Sequence, residues 1–233
     1  MESSQRLDGV KINVDGVLMD EQAGPERKES YHHGDLRKAL IAAAEAVLAE
    51  TGVEGFSLRQ VAKRVGVSHS APAHHFGDAQ GLLSALAAEG FRRFLAAMLA
   101  RQAAASDDPR EQMLAQAVGY LDFAEASPAL FRLMFGSERV WPSTPELAEA
   151  GQAAYRALVE GLARLRGLAP DDPALTPDVL ACWSLAHGFA HLVIGRRMVP
   201  VEGLSREARE ALLRGLVGRV LDGGDRGATA GVL

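Results

Sequence analysis

Ser57-Leu58-Arg59-Gln60-Val61-Ala62-Lys63-Arg64-Val65-Gly66-Val67-Ser68-His69-Ser70-Ala71 is the stretch on which the fold turns. Its first four residues match a capping box: the Ser57 hydroxyl accepts from the amide of residue 60, and the Gln60 side chain reaches back to the amide of residue 57. Leu58, Val61, Ala62 and Val65 then fall on one face at helical spacing. Gly66 ends that helix, and Ser68 starts another after the turn Gly66-Val67-Ser68. Two short helices joined by such a glycine-containing turn make a helix-turn-helix. Ala62 supplies the small side chain that two steeply crossing helices need, while Val61, Val65 and Val67 fill the wedge between them. The second helix, expected over 69–75, presents Ser68, His69, Ser70, Ala71, His74 and His75 outward. Hydroxyls and imidazoles donate or accept at base edges, and an alanine methyl meets a thymine methyl, so this face suits a DNA major groove. The same spacing also suits a helical hairpin that touches no DNA.

Outward from this stretch the chain reads as helices throughout. Asp35 is a candidate cap for a helix over 36–50, whose Leu36, Leu40, Ala44, Val47 and Leu48 share a face, and Thr51-Gly52 ends it. Asp78 caps a helix over 79–104, with Leu82, Leu83, Leu86 and Phe91 inside. Asp108-Pro109, Ser127-Pro128, Thr144-Pro145 and Thr176-Pro177 each put proline at the first helical position after a capping side chain. They predict helices over 109–126, 128–135, 145–167 and 177–198, and Ser205 caps a last one over 206–221. No convincing strand remains. The expected fold is all-α with about nine helices: a flexible N-terminal tail over 1–30, a helix-turn-helix domain over 31–78, a second helical domain over 79–221, and a Gly-rich flexible C-terminus over 222–233.

Composition narrows the function classes. Hydrophobic residues make up 48% of the 233 and charged ones 24%, which excludes disorder. No apolar run approaches a membrane span, and the single cysteine, Cys182, excludes an intramolecular disulfide and fits a reducing cytoplasm. No GxSxG, P-loop, dinucleotide fingerprint or paired-carboxylate motif appears, so an enzyme is not expected. The net charge of −5 counts against a simple basic nucleic-acid binder, but it is unevenly spread. Residues 1–30 carry −3, residues 31–95 carry +1 and residues 96–233 carry −3. The one segment that is not acidic holds the helix-turn-helix and five of the seven histidines. Protonated imidazoles add charge as pH falls, so tighter DNA binding is expected at pH 6 than at pH 8.

Ala43-Ala44, Gly52, Phe56-Ser57-Leu58-Arg59-Gln60-Val61-Ala62, Val65-Gly66-Val67-Ser68, His75-Phe76 and Leu82-Leu83 fall in order between Tyr31 and Phe94. Over this span the chain resembles the N-terminal domain of the TetR (tetracycline-repressor-like) family of bacterial transcriptional regulators. Tyr31-His32-His33-Gly34-Asp35-Leu36-Arg37, the stretch Ala126 to Phe135, and Trp183-Ser184-Leu185-Ala186-His187-Gly188 are similar to one branch of that family, extending the likeness to about 31–220. The resemblance implies a ligand-responsive homodimer, by family tendency a repressor, with 79–221 as its effector-binding and dimerisation domain. Its two recognition helices would read a near-palindromic double-stranded operator, with half-sites roughly 34 Å apart or somewhat more. It also implies that phosphates are met at the starts of helices 1, 2 and 4, and so by Arg37, Lys38, Ser57 and Arg59; His32 and His33 join this set. Free amides at a helix start add to it. The sequence departs from the family at Ala73, where a tyrosine is common, and at Asp78-Ala79-Gln80, where a lysine usually follows. Pro72 inside the recognition helix is tolerable only in the first turn.

In the middle helices Met113, Tyr120, Phe123, Phe131, Met134, Phe135 and Trp141 serve equally as plain core and as the wall of an apolar effector pocket, joined by Trp183 and His187. Few charged residues face this region, so the effector is expected to be an apolar or weakly polar small molecule. His187 and His191 are spaced i,i+4, but further metal ligands are not evident, and His187 reads as a buried or interfacial histidine beside Trp183 and Gly188. No cofactor and no metal are expected. Gly188, Ala190, Gly195, Gly215 and Gly218 on the last two helices permit close approach and are expected at the dimer interface. The alternative is a helical ligand- or metal-binding sensor whose DNA-binding head is weakened or lost.

Overall fold

A computed structural model describes residues 33–140, 144–196, 200 and 203–223. The described residues form nine α-helices and no strand. These are α1 (His33–Thr51), α2 (Leu58–Val65), α3 (Ala71–Phe76), α4 (Ala79–Ala103), α5 (Pro109–Ala126), α6 (Pro128–Gly136), α7 (Pro145–Arg166), α8 (Thr176–Ile194) and α9 (Arg206–Gly223), with 3-10 turns at Glu138–Val140 and Pro173–Leu175. The expected tail over 1–30 lies outside the described residues. At the other end the last helix runs through Asp222 and Gly223, so the C-terminal segment begins later than expected, and 224–233 lie outside the description.

Most helix starts obey their side chains. Asp78 accepts from the Gly81 amide at 2.8 Å, Asp108 from Arg110 at 3.3 Å, Thr144 from Leu147 at 3.3 Å and Ser205 from Ala208 at 3.2 Å. Four expectations are corrected. α1 is already helical at His33, so Asp35 sits inside its first turn, favouring the dipole rather than capping. α3 begins at Ala71 rather than 69, because Pro72 has no amide to give and must lie in the first turn. Ser127 makes no cap bond, since its hydroxyl accepts from Arg93 at 3.0 Å instead. Thr176 is itself helical; the cap upstream is Asp172, which accepts from the Ala174 amide at 2.9 Å and starts the 3-10 turn.

α1, α2 and α3 pack with the start of α4 into a small head. The remainder of α4 packs against α5 and α7, and α5 in turn against α8 and α9. α4 thus belongs to both halves. Its approach to α5 is close enough to require Gly119: a Cβ there would lie 2.6 Å from the Ala97 carbonyl oxygen and 2.7 Å from Met98 Cα. Fully buried Leu40, Leu48, Leu82, Leu83 and Leu86 hold the head to α4, and Phe131, Leu130 and Leu162 centre the body. On the outside, α8 and α9 present exposed Leu180, Trp183, Leu192 and Leu212.

Candidate functional site

The helix-turn-helix forms as a tight local unit. The Ser57 hydroxyl accepts from the Gln60 amide at 3.4 Å. The reciprocal half differs from the expected box: Gln60 Oε1 takes the Ser57 hydroxyl proton at 2.7 Å instead of the backbone amide. Gly66 stands at φ 78°, ψ 32°, a left-handed conformation natural to glycine, and its amide and that of Val67 both return to the Ala62 carbonyl, at 2.9 and 3.1 Å. Ala62 and Val61 are buried, and Val65 and Val67 pack partly buried against the core, filling the wedge.

Beyond the turn, Ser68, His69, Ser70 and His74 are exposed, and Ala71 and His75 half-buried. Ser68 belongs to the turn rather than to α3; its hydroxyl lies 3.2 Å from that of Ser70. Lys38, Arg59 and Lys63 are exposed and have no carboxylate partner among the described residues. His32 lies outside those residues, and of His33 only the helical backbone is described. Arg37 does not stand free for a phosphate. It donates to Glu146 at 3.0 Å, and its guanidinium carbon sits 5.4 Å from the centre of the Phe76 ring, at the end of α3. With α1 starting at residue 33, Arg37 and Lys38 lie in its second turn rather than its first.

The Arg37 contact is one of several that tie head to body. Glu146, in the first turn of α7, also accepts from Arg92 of α4 at 2.7 Å. The Arg92 hydrogen bond, joined by the Arg37 charge, holds the Glu146 carboxyl below its ordinary range against partial burial. Arg93 donates to Glu45 of α1 at 2.7 Å, and Arg139 reaches the Val53 carbonyl beside α1.

Below the junction, helices α4 to α9 line a half-open cavity of about 350 Å³, with exposed Tyr155 and Trp183 on its wall. Met113, Tyr120, Met134, Phe135 and Trp183 of the expected set line it. Phe123 and Phe131 do not: Phe123 is buried against Phe94 at a ring distance of 5.5 Å, and Phe131 packs on Phe135, His187 and His191. His187 also stands off the lining, reaching the cavity through Tyr120, whose hydroxyl lies 2.7 Å from His187 Nδ1. Burial, and then His191, push the His187 imidazole down, while burial pushes the Tyr120 phenol up against a hydrogen bond from Trp183. Both groups are therefore neutral at pH 7, and the phenol donates to the imidazole. Trp141 lies outside the described residues. Among the described residues no three His, Cys, Asp or Glu side chains are placed to hold a metal ion.

Sequence reasoning missed Phe91, Phe94, Met98, Gln116, Leu158, Cys182 and Val217 on the cavity wall. Cys182 is buried at the cavity, where desolvation raises its thiol to about 11. One signal was available: Gln116 is a lone polar residue inside Met113-Leu114-Ala115-Gln116-Ala117-Val118-Gly119-Tyr120-Leu121, and it is buried. Three of the small residues expected at a dimer interface serve the chain itself. Ala190 is fully buried, and a Cβ at Gly218 would meet Arg110 at 2.9 Å; Gly195 caps the end of α8. Gly188 and Gly215 open outward, with nothing within 4 Å of an added Cβ.

Comparison with known proteins agrees with this two-part plan. Residues 40–86 match the family described as bacterial regulatory proteins, tetR family, and residues 113–219 match the tetracyclin repressor-like C-terminal domain. The HTH-type transcriptional regulator BetI of Stenotrophomonas maltophilia is 31% identical over 126 residues, 54% of this chain and 64% of that regulator, so the match spans less than two thirds of it. BetI of Burkholderia thailandensis is 28% identical over 191 residues, 70% of this chain and 96% of its own length. Among solved structures, a protein of unknown function from Rhodococcus sp. RHA1 is 34% identical, with a TM-score of 0.70 over 82% of this chain and 98% of that one. A transcriptional regulator from the same source is 28% identical, with a TM-score of 0.59 over 80% and 96%. No helix among the described residues is long and apolar enough to cross a membrane. With its helix-turn-helix at one end of α4 and its cavity at the other, this chain belongs to the TetR family of DNA-binding transcriptional regulators.

Proposed function

We propose that this regulator is a ligand-responsive repressor, bound as a homodimer to a near-palindromic operator and released when a small molecule fills the body cavity. The observation that carries this reading is the continuity of α4. Its first turn packs beside the recognition helix, and its Phe91, Phe94 and Met98 line the cavity, so one rigid element feels both sites. Ser68, His69, Ser70, Ala71, His74 and His75 are the proposed base-reading face. Lys38 and Arg59 are proposed phosphate contacts with Lys63 beside them, and Ser57 stands at the start of α2. Arg37 is better understood as a brace between head and body than as a phosphate contact. Exposed Leu180, Leu192 and Leu212, with the open backbone at Gly188 and Gly215, support pairing of two copies through α8 and α9.

Gel shifts on DNA upstream of the regulator's own gene, at several salt concentrations, test the reading. Three unpaired cations per head predict a dependence of log affinity on log salt near −5 for the dimer, at about 0.9 per neutralised phosphate. A steeper slope would return Arg37 to the phosphates. Absence of any specific shift from a dimer verified by light scattering would favour a ligand sensor without operator function.

A further inference from the structure

The cavity proposed to hold the effector has one polar end with an unusual property. Gln112, Gln102 and Gln116 form a directed chain of amides between α5 and α4. Gln102 Nε2 donates to Gln112 Oε1 at 3.3 Å, and Gln116 Nε2 donates to Gln102 Oε1 at 2.7 Å. That direction leaves Gln116 Oε1 as the terminal acceptor. Gln116 is only 4% exposed and lines the cavity, and no group among the described residues donates to this oxygen. No buried side-chain oxygen or nitrogen among the described residues lacks a partner, so this unbonded oxygen is one that the cavity space itself reaches, and a donor placed there meets it.

The rest of the wall sets the charge of whatever supplies that donor. Among the described residues no Asp, Glu, Lys, Arg or His lines the cavity. The Tyr120 phenol already donates to His187, so it offers no hydrogen to an anion. A carboxylate would be desolvated with no cation beside it, and an ammonium with no carboxylate. Aromatic rings of Phe91, Phe94, Phe135 and Trp183 instead offer edges and faces to an apolar body. The volume equals about a dozen waters at ~30 Å³ each, room for roughly ten to fifteen non-hydrogen atoms.

From this geometry we infer that the effector is a neutral, compact, ring-bearing molecule with one hydroxyl or N–H donor, and that Gln116 Oε1 accepts from that donor. This rests on the reading of the cavity as the effector site. Isothermal titration of the full chain with four matched probes tests it: 2-naphthol, 2-methoxynaphthalene, 2-naphthoate and 2-naphthyltrimethylammonium. 2-Naphthol is expected to bind once per chain, and the ether, which fills the same space without a donor, about 10-fold more weakly. The anion and the cation are each expected to be weaker than the ether. In Gln116→Leu the naphthol and the ether should bind alike, because the acceptor is gone while the apolar wall remains. An ether that binds as well as naphthol overturns the inference, as does preference for either ion, silence with all four probes, or a naphthol advantage that survives in Gln116→Leu. A circular dichroism melt of the variant confirms its fold. Operator binding is measured on the same preparation: lost DNA binding with retained naphthol selectivity would sink the regulator reading alone, and the reverse would sink this one alone.

Discussion

The head and the body of this regulator solve opposite problems. The head must keep polar and basic groups exposed on a few short helices, so its packing is local, and its turn depends on one left-handed glycine, Gly66. The body must enclose an uncharged space, so its packing is long-range, drawing the cavity wall from α4, α5, α6, α7, α8 and α9. Its decisive glycine, Gly119, is helical and serves close approach rather than backbone conformation. What separates the two regions is therefore the range of interactions that each function demands. They are joined by α4 and by the arginine contacts on Glu146 and Glu45.

The largest effect should come from the surface that neither region uses by itself. Gly188→Leu adds a side chain where nothing lies within 4 Å of the Cβ, so the fold is expected to survive with unchanged circular dichroism. Dimerisation is expected to fail, and losing the second head should lower operator affinity by at least ~100-fold. Light scattering and gel shift decide it; a dimeric, DNA-competent variant would move the interface elsewhere.

A matched pair of alanine substitutions then separates the regions. Gly119→Ala pushes a methyl into the Ala97–Met98 backbone, and should cost about 1–3 kcal/mol in chemical denaturation while weakening ligand binding. Gly66→Ala forces a Cβ into the left-handed region for about 1–2 kcal/mol. It should weaken operator binding and leave calorimetric ligand binding intact. Equal damage to both functions by either variant would show that head and body are not separable in this way.

The smallest effect concerns the junction. The ion pairs at Glu146 are well exposed, and Glu146→Gln should cost only about 0.5 kcal/mol at pH 7. Because the folded carboxyl is held below its ordinary value, its contribution is present above about pH 4.5 and is lost as pH falls through the lowered value. Wild type and variant should thus converge in stability on acidification, and a gap that widens toward acid would contradict the assignment. The variant should also respond less to a bound ligand, with a smaller drop in operator affinity.

How far each region could be read from sequence follows the same division. The Ser57 cap, the Gly66 stop, Ala62 and the valine wedge are all set by neighbours within ten residues, and each stands where the local pattern places it. The errors there were local as well: Pro72 delays α3 because a missing amide restricts proline to the first turn, and α1 begins before Asp35. In the body, hydrophobic spacing identified aromatic residues without distinguishing a cavity wall from core. Phe131 and Phe123 have the same chemistry as Phe135 and Phe94, and only helix rotation decides which ring faces the space. Arg37 shows the limit most clearly. The family resemblance implies a phosphate contact for it, and only the folded chain shows that it donates to Glu146, 109 residues away.

The sequence by itself determined the all-helical class and the helix-turn-helix, because capping, proline and glycine rules and apolar periodicity act over a few residues, and its ordered motifs carried the family resemblance. Tertiary structure alone decided which side chains line the cavity, which small residues face outward and which arginines brace the head. Those properties depend on contacts between residues far apart in the chain, and no local preference encodes the rotation that brings them together.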